Sequence, residues 1–221
     1  MKREILITSD GSTTIHLPEW NEQYHSKHGA IQEAIHVFIK NGFSTISSDK
    51  ISILEIGFGT GLNAFITFLE AKKSNKMIDY VGVEAYPVKT SEIQQLNYVS
   101  ELHVQEFQSF FEKMHTIFWE KKHPISDNFL FTKRKQFFNE IDDENTFDLI
   151  YFDAFGVRVQ PELWTEAIFL IMYKALKNDG ILVTYAAAGS IRRAMQSVGF
   201  TIEKLQGPPG KREMLRAIKI G

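Results

Sequence analysis

Ile53-Leu54-Glu55-Ile56-Gly57-Phe58-Gly59-Thr60-Gly61-Leu62-Asn63 is an apolar strand that runs straight into a glycine turn. No other stretch constrains the fold so tightly. A strand leaving the centre of a parallel sheet must turn sharply into its crossover helix, and glycine lets backbone approach a ligand where a β-carbon would intrude. Two later strands follow the same plan: Asp79 to Glu84 and Phe147 to Asp153 each end in an acid. Together they predict an open α/β sheet whose strand ends converge on a nucleoside-containing ligand.

At 221 residues the chain can build a two-sided α/β core, and one domain is expected over 1–221, with 1–45 as an N-terminal hairpin and helix extension. Apolar residues make up 43% and aromatics 13%, which excludes a disordered chain. There is no cysteine, so disulfides, thiolate metal sites and a cysteine nucleophile are excluded. No apolar run reaches the roughly 18 residues of a membrane span, and the cytoplasm is the expected compartment, with no membrane partner. A net charge of −2 argues against broad coating of nucleic acid but leaves room for local basic patches. Candidates are Lys133-Arg134-Lys135, Arg192-Arg193 and Lys211-Arg212.

Residues 4–17 alternate around Asp10-Gly11 and predict a hairpin. Ala30 to Lys40 carries apolar residues at helical spacing, and Leu62 to Lys72 is the first crossover helix. Residues 90–117 read as mostly helical with a break near Ser100, 128–132 as a third strand, and 147–152 as a fourth. A helix over about 162–176, a strand from Ile181 to Tyr185 and a helix from Ser190 to Val198 follow, with Ser190 as a plausible N-cap and Gly199 closing that helix. Strands at 200–205 and 213–219, joined through Gly207-Pro208-Pro209-Gly210, end the series. The pattern predicts a mostly parallel sheet with one antiparallel strand.

The spacing Gly57-x-Gly59-x-Gly61 differs from the GxGxxG dinucleotide fingerprint, and Leu62-Asn63 stands where a P-loop needs lysine and a hydroxyl. A mononucleoside with an amino-acid tail fits better, with Asn63 or nearby backbone meeting the tail. Glu84 can accept hydrogen bonds from both ribose hydroxyls. Asp153, at the tip of a strand buried on both faces, can orient an amine and take its proton; its rival role is a hydrogen bond to the loop before Trp164. Ala186-Ala187-Ala188 either lines a channel or allows tight packing. His16, His25, His28 and His36 cluster without metal-ligand spacing, so no metal is expected, and no GxSxG elbow is present.

Further segments carry a resemblance: Tyr24-His25-Ser26 with Gly29-Ala30 and Glu33; Glu55 to Asn63; Asp153-Ala154-Phe155 with Pro161-Glu162-Leu163-Trp164; Thr184 to Gly189 with Arg192-Arg193; and Gly199-Phe200 through Lys211-Arg212-Glu213-Met214. In this order they resemble the methyltransferase domain of the bacterial enzymes that complete 5-methylaminomethyl-2-thiouridine at the tRNA wobble position, here as a stand-alone version. The resemblance implies a Rossmann-like class I methyltransferase fold, α/β, with a seven-stranded sheet and an N-terminal β-hairpin extension. It implies S-adenosyl-L-methionine as cofactor, held by Glu55, Gly57, Gly59, Gly61, Asn63, Glu84, Gln136 and Asp153. It implies a tRNA anticodon loop bearing a 5-aminomethyl wobble uridine as partner, met by Tyr24, His25, Phe155, Trp164, Arg192, Arg193, Lys211 and Arg212. Asp153 would be the catalytic residue.

The chain departs from that family in two places. Thr132-Lys133-Arg134-Lys135-Gln136-Phe137 lacks the usual acid for the adenine amine, leaving Gln136 or backbone to serve. The loop after Phe155 begins Gly156-Val157-Arg158 rather than with the usual Ala-Pro. Without the fused oxidase, the chain is expected to depend on another source of the aminomethyl base. The alternatives are a methyltransferase for another amine, in a small molecule or a protein, and a catalytically silent RNA-binding relative. An aminopropyltransferase fits less well, because its turn usually carries an extra Asp, and a nicotinamide oxidoreductase needs different glycine spacing. The sequence leaves the oligomeric state open.

Overall fold

Alternating apolar strands and amphipathic helices build a sheet sandwiched between two layers in the computed structural model, which describes residues 2–221. Eight strands form the main sheet: β4 (Lys50–Ile56), β5 (Met77–Val83), β6 (Lys122–Ser126), β7 (Phe129–Arg134), β8 (Phe147–Phe152), β9 (Leu176–Thr184), β10 (Thr201–Gln206) and β11 (Glu213–Ile218). Their order is β10-β11-β9-β8-β4-β5-β7-β6. β7, β5, β4, β8 and β9 are parallel neighbours, and β11 runs antiparallel to both β9 and β10. The expected seven-stranded arrangement with one antiparallel strand is therefore present. β6 is an addition at the far edge, antiparallel to β7; its Lys-His-Pro-Ile-Ser sequence carries no strand signal, and pairing with β7 creates it.

Each central strand is buried on both faces because its alternate residues feed different cores. Ile51 and Ile53 of β4 pack with Phe65 and Phe68 of α2 (Leu62–Ser74), whereas Leu54 and Ile56 pack with Phe169 and Met172 of α6 (Glu166–Ala175) and Ile191 and Met195 of α7 (Gly189–Ser197). Phe68, with no exposed surface, meets Phe65, Phe107, Phe110 and Phe129. Such aromatic pairs each contribute about 0.5–1.5 kcal/mol beyond area burial.

The 90–117 region is more broken than expected, with α3 (Thr90–Ile93), α4 (Tyr98–Glu101) and α5 (Gln108–Thr116) separated by turns. The helix predicted over 30–40 begins as α1 (Ala30–Ala34) and continues as π-helix to Lys40. α7 starts at Gly189 with Ala188 as its cap residue and no side-chain cap, so Ser190 lies inside the first turn rather than capping it. At the N-terminus β1 (Glu4–Ile7), β2 (Thr13–Leu17) and β3 (Glu22–Gln23) make a separate antiparallel sheet. Arg3 ties it to Tyr86 O, Pro87 O and Glu92, and Arg158 ties it to Trp20 O, Asn21 O and Glu22, so both sides of the strand-end crevice hold it.

Candidate active site

Gly57 leaves β4 with φ +90°, and a β-carbon there would stand 2.7 Å from the Asp153 backbone oxygen. β4 and β8 are neighbours with Ile56 opposite Phe152, and Asp153 N donates to Ile56 O at 2.9 Å. The absence of a side chain thus lets the glycine turn and the acidic strand tip close on one another. A cavity of about 1650 Å³ opens at these strand ends. Gly57, Gly59, Asn63 and Glu84 line one part of it, and Tyr24, His25, Asp153, Phe155 and Lys211 line the rest.

Asn63, in the first turn of α2, bridges two carboxyls through its amide nitrogen, 2.8 Å from Asp153 Oδ2 and 3.0 Å from Glu55 Oε1. Its Oδ1 is buried without a protein partner. Glu55 is completely buried behind it and also accepts a 2.9 Å hydrogen bond from Tyr80 Oη. Burial raises the Glu55 pKa well above the usual carboxylate range, and the field of Asp153 adds to the rise. Asp153 faces the cavity, so part of its surface stays accessible, but protein atoms crowd it on its other sides. That burial, reinforced by the negative charge of Glu33, lifts its pKa to about 7, against the opposing Asn63 hydrogen bond and the Lys211 charge.

Glu84 receives Gly59 N on one carboxyl oxygen at 3.0 Å and Tyr86 N on the other at 2.9 Å; burial raises its pKa, opposed by these donors. His25 lies with Nδ1 3.3 Å from Thr14 Oγ1 and Nε2 3.4 Å from Thr60 Oγ1, joining the N-terminal sheet to the glycine turn. Its burial pushes the pKa down to about 4, so it is a neutral wall at physiological pH. Phe155 is wedged edge-on between Trp20 and Tyr24.

Several expected residues lie elsewhere. Glu55 does not reach the cavity; it acts behind Asn63. Gly61 faces away, since a β-carbon there would meet His115 and Phe58 at 3.0–3.1 Å. Gln136 is outside the lining, whereas Lys135, Phe137, Phe138 and Asn139 are in it, where the chain after Arg134 bends into a short 3-10 turn. Trp164 is buried and donates from Nε1 to Phe155 O at 2.7 Å, holding the loop that the Asp153 carboxyl was alternatively expected to hold. Arg192 and Arg193 on α7 do not line the cavity, and Arg212 belongs to an adjoining shallow basin with Ala186, Ala187 and Ala188. The Lys133-Arg134-Lys135 cluster is split: Lys133 is buried and donates to His115 O at 2.6 Å, and Arg134 pairs with Asp143. Glu33 was missed as a site residue. It lines the cavity, buried, with its carboxylate accepting from Ser26 N at 2.8 Å and Lys211 Nζ at 2.6 Å. Only its place in the Tyr24–Glu33 segment hinted at it.

The strand order, glycine turn and acid-tipped cavity define a class I methyltransferase fold. A family model described as S-adenosyl-L-methionine-dependent methyltransferase matches residues 94–220, and the chain belongs to that family. Its cofactor is S-adenosyl-L-methionine. The residues present fit that molecule: the unpartnered Asn63 Oδ1 calls for a donor such as an α-ammonium, and Glu84 retains acceptor capacity beside the turn.

The chain is 27% identical over 214 residues to the tRNA 5-methylaminomethyl-2-thiouridine biosynthesis bifunctional protein MnmC of Marinomonas sp., covering 90% of this chain and 31% of that protein. It is 29% identical over 215 residues to the protein of the same name from Campylobacter fetus, covering 90% and 33%. The chain thus spans about a third of the curated relatives it matches. Among solved structures it is similar to MNMC2 from Aquifex aeolicus, with a TM-score of 0.77 at 22% identity over 98% of this chain and 69% of that one. Spermidine synthase from Thermotoga maritima shares the fold with a TM-score of 0.56 at 13% identity, over 98% and 68% of the two chains. Among the described residues, no helix is long and apolar enough to cross a membrane, and no group of three or more His, Asp or Glu side chains is arranged to hold a metal ion.

Proposed function

We propose that this protein is an N-methyltransferase that converts 5-aminomethyl-(2-thio)uridine at the wobble position of tRNA to its 5-methylaminomethyl form. The observation that carries this reading is Asp153, a cavity-facing carboxyl with a pKa raised to about 7 beside the glycine turn. A group so poised can accept an ammonium and remove its proton near neutral pH. The names of the curated relatives supply the nucleoside.

In this reading Gly57, Gly59, Asn63 and Glu84 hold the cofactor, Asn63 meeting its amino-acid tail and Glu84 its ribose. Phe137, Phe138 and Asn139 flank the adenine in place of Gln136. S-adenosyl-L-methionine supplies an electrophilic methyl group: the amine nitrogen forms the new N–C bond as the S–C bond breaks. Asp153 binds the aminomethyl group and receives the proton that the nitrogen gives up. Phe155, Tyr24 and Trp20 shield that end of the cavity, and neutral His25 adds wall without adding charge. Holding the amine in line supplies much of the rate, since effective-concentration effects reach about 7–11 kcal/mol.

The test is incubation with methyl-labelled S-adenosyl-L-methionine and tRNA from cells blocked at the aminomethyl stage, followed by nucleoside analysis. Label in 5-methylaminomethyl-(2-thio)uridine, lost in Asp153→Asn, supports the reading. Donor binding without label in any nucleoside overturns it and favours another amine or a silent RNA-binding role.

A further inference from the structure

Lys211 Nζ sits 3.7 Å from the centre of the Tyr185 ring while bonded at 2.6 Å to Glu33 Oε1. Glu33, Asp153, Tyr185 and Lys211 all line the same cavity, although the helix carrying Glu33 and the hairpin loop carrying Lys211 are 178 residues apart. Both partners are fixed from behind. Ser26 N holds the other Glu33 oxygen, and Tyr185 Oη is tied to Ala154 O at 2.8 Å, one residue past the acid. The Lys211 loop leaves no room for a side chain at Gly207, which lies under the Lys211 carbonyl, or at Gly210, which lies against His28. A lysine gripped by a carboxylate and an aromatic face is held where its charge is useful, since a free lysine would keep its rotamer entropy in water.

We propose that Glu33 and Lys211 are positioning residues for the acceptor end of the cavity, an ion pair held by Ser26 N and the Tyr185 ring so that its fixed opposite charges share the lining with the Asp153 carboxyl that receives the amine proton. This rests on the amine-methylating role given above. A nucleophilic amine must present its lone pair, yet the cavity must also attract it as an ammonium. Glu33 draws the cation in and raises the proton affinity of Asp153, whereas Lys211 keeps that affinity from rising out of the neutral range. The other groups facing Asp153 are Asn63 from α2, Glu55 from β4, Tyr80 from β5 and Tyr185 past the end of β9; Asp153 raises the pKa of Glu55, Tyr80 and Tyr185. Burial favours the uncharged forms of Glu55, Tyr80 and Tyr185, and Asn63 carries no charge, so Glu33 and Lys211 are the ion pair that shares the cavity with the acid.

The test titrates Asp153 directly by carbon NMR of Asp-labelled protein, assigned by Asp153→Asn, in wild type, Glu33→Gln and Lys211→Met. The expected midpoints move in opposite directions, down in E33Q and up in K211M, each by roughly half a pH unit or more. The acidic limb of kcat/KM for methyl transfer moves the same way, and donor affinity stays unchanged. Midpoints that do not move, or that move together, overturn the proposal. A variant that melts far below wild type is replaced by Glu33→Asp or Lys211→Arg, in which the retained charge must restore the wild-type midpoint; failure to restore it also overturns the proposal. Because the NMR titration needs no acceptor, wild-type protein that methylates no tRNA overturns the substrate assignment separately.

Discussion

Asn63 Nδ2 stands 2.8 Å from Asp153 Oδ2 and donates to it, so the helix that follows the glycine turn holds the acid at the neighbouring strand tip. The same nitrogen donates to sealed Glu55, which Tyr80 also binds. One amide therefore ties the helix after the glycine turn to both carboxyls.

Asn63→Ala removes the hydrogen bond that lowers the proton affinity of Asp153 and leaves buried carboxyl oxygens short of a donor. The variant is expected to lose about 1–3 kcal/mol of stability in denaturant melts. Its acidic limb of kcat/KM should shift to higher pH, and donor affinity measured by calorimetry should fall.

Asp153→Asn should reduce methyl transfer by roughly 10²–10⁴-fold, the usual scale of a lost acid–base group. It should also stabilise the protein, in a pH-dependent way. The folded pKa of about 7 lies above the ordinary 3.8, so between these values the native state holds a proton that the unfolded chain has released. Wild-type stability therefore declines as pH rises through that window. Melting temperatures of variant and wild type should match below pH 3.8 and diverge most above pH 7; a constant difference across pH would contradict the assignment.

Glu84→Gln keeps the shape of the side chain and removes its charge. Donor affinity should weaken about tenfold, or ~1.4 kcal/mol, with kcat at saturating donor little changed. A fall in kcat with unchanged affinity would place Glu84 outside the cofactor site.

Gly57→Ala forces a β-carbon to within 2.7 Å of Asp153 O at a φ of +90°. The strain is expected to cost about 1–3 kcal/mol and to push the strand tips apart. Activity should fall further than stability does, which comparison of melts with single-turnover rates will read.

Arg158→Ala breaks contacts to Trp20 O, Asn21 O and Glu22 that are exposed to solvent. Global stability should change by about 1 kcal/mol or less. Amide exchange over 20–24 should nevertheless quicken and KM for the acceptor should rise, because this contact docks the N-terminal sheet against the loop bearing Phe155.

The central strands were legible because each is apolar on both faces and ends at an unambiguous signal, glycines after Ile56 and acids at Glu84 and Asp153. Burial on both sides requires a parallel strand with helices above and below, so local composition implies the layer architecture. β6 and β3 were not legible, since neither has an apolar period; one exists by pairing with β7 and the other by pairing with β2. In the site, the places of Asp153, Asn63 and Glu84 in the cavity lining follow from their positions after strands, whereas Gln136 lies outside that lining because the chain bends there into a short 3-10 turn that local pattern does not signal.

Short-range periodicity and turn chemistry thus specify the succession of elements, the glycine crossover and the acid at the strand tip, because these depend on residues near one another in the chain. The pairing of Glu33 with Lys211, the sealing of Glu55 and the elevated proton affinity of Asp153 depend on groups brought together from distant elements. Electrostatics and desolvation act through space, so those properties arise only when packing fixes which charges face one another and how much water remains between them.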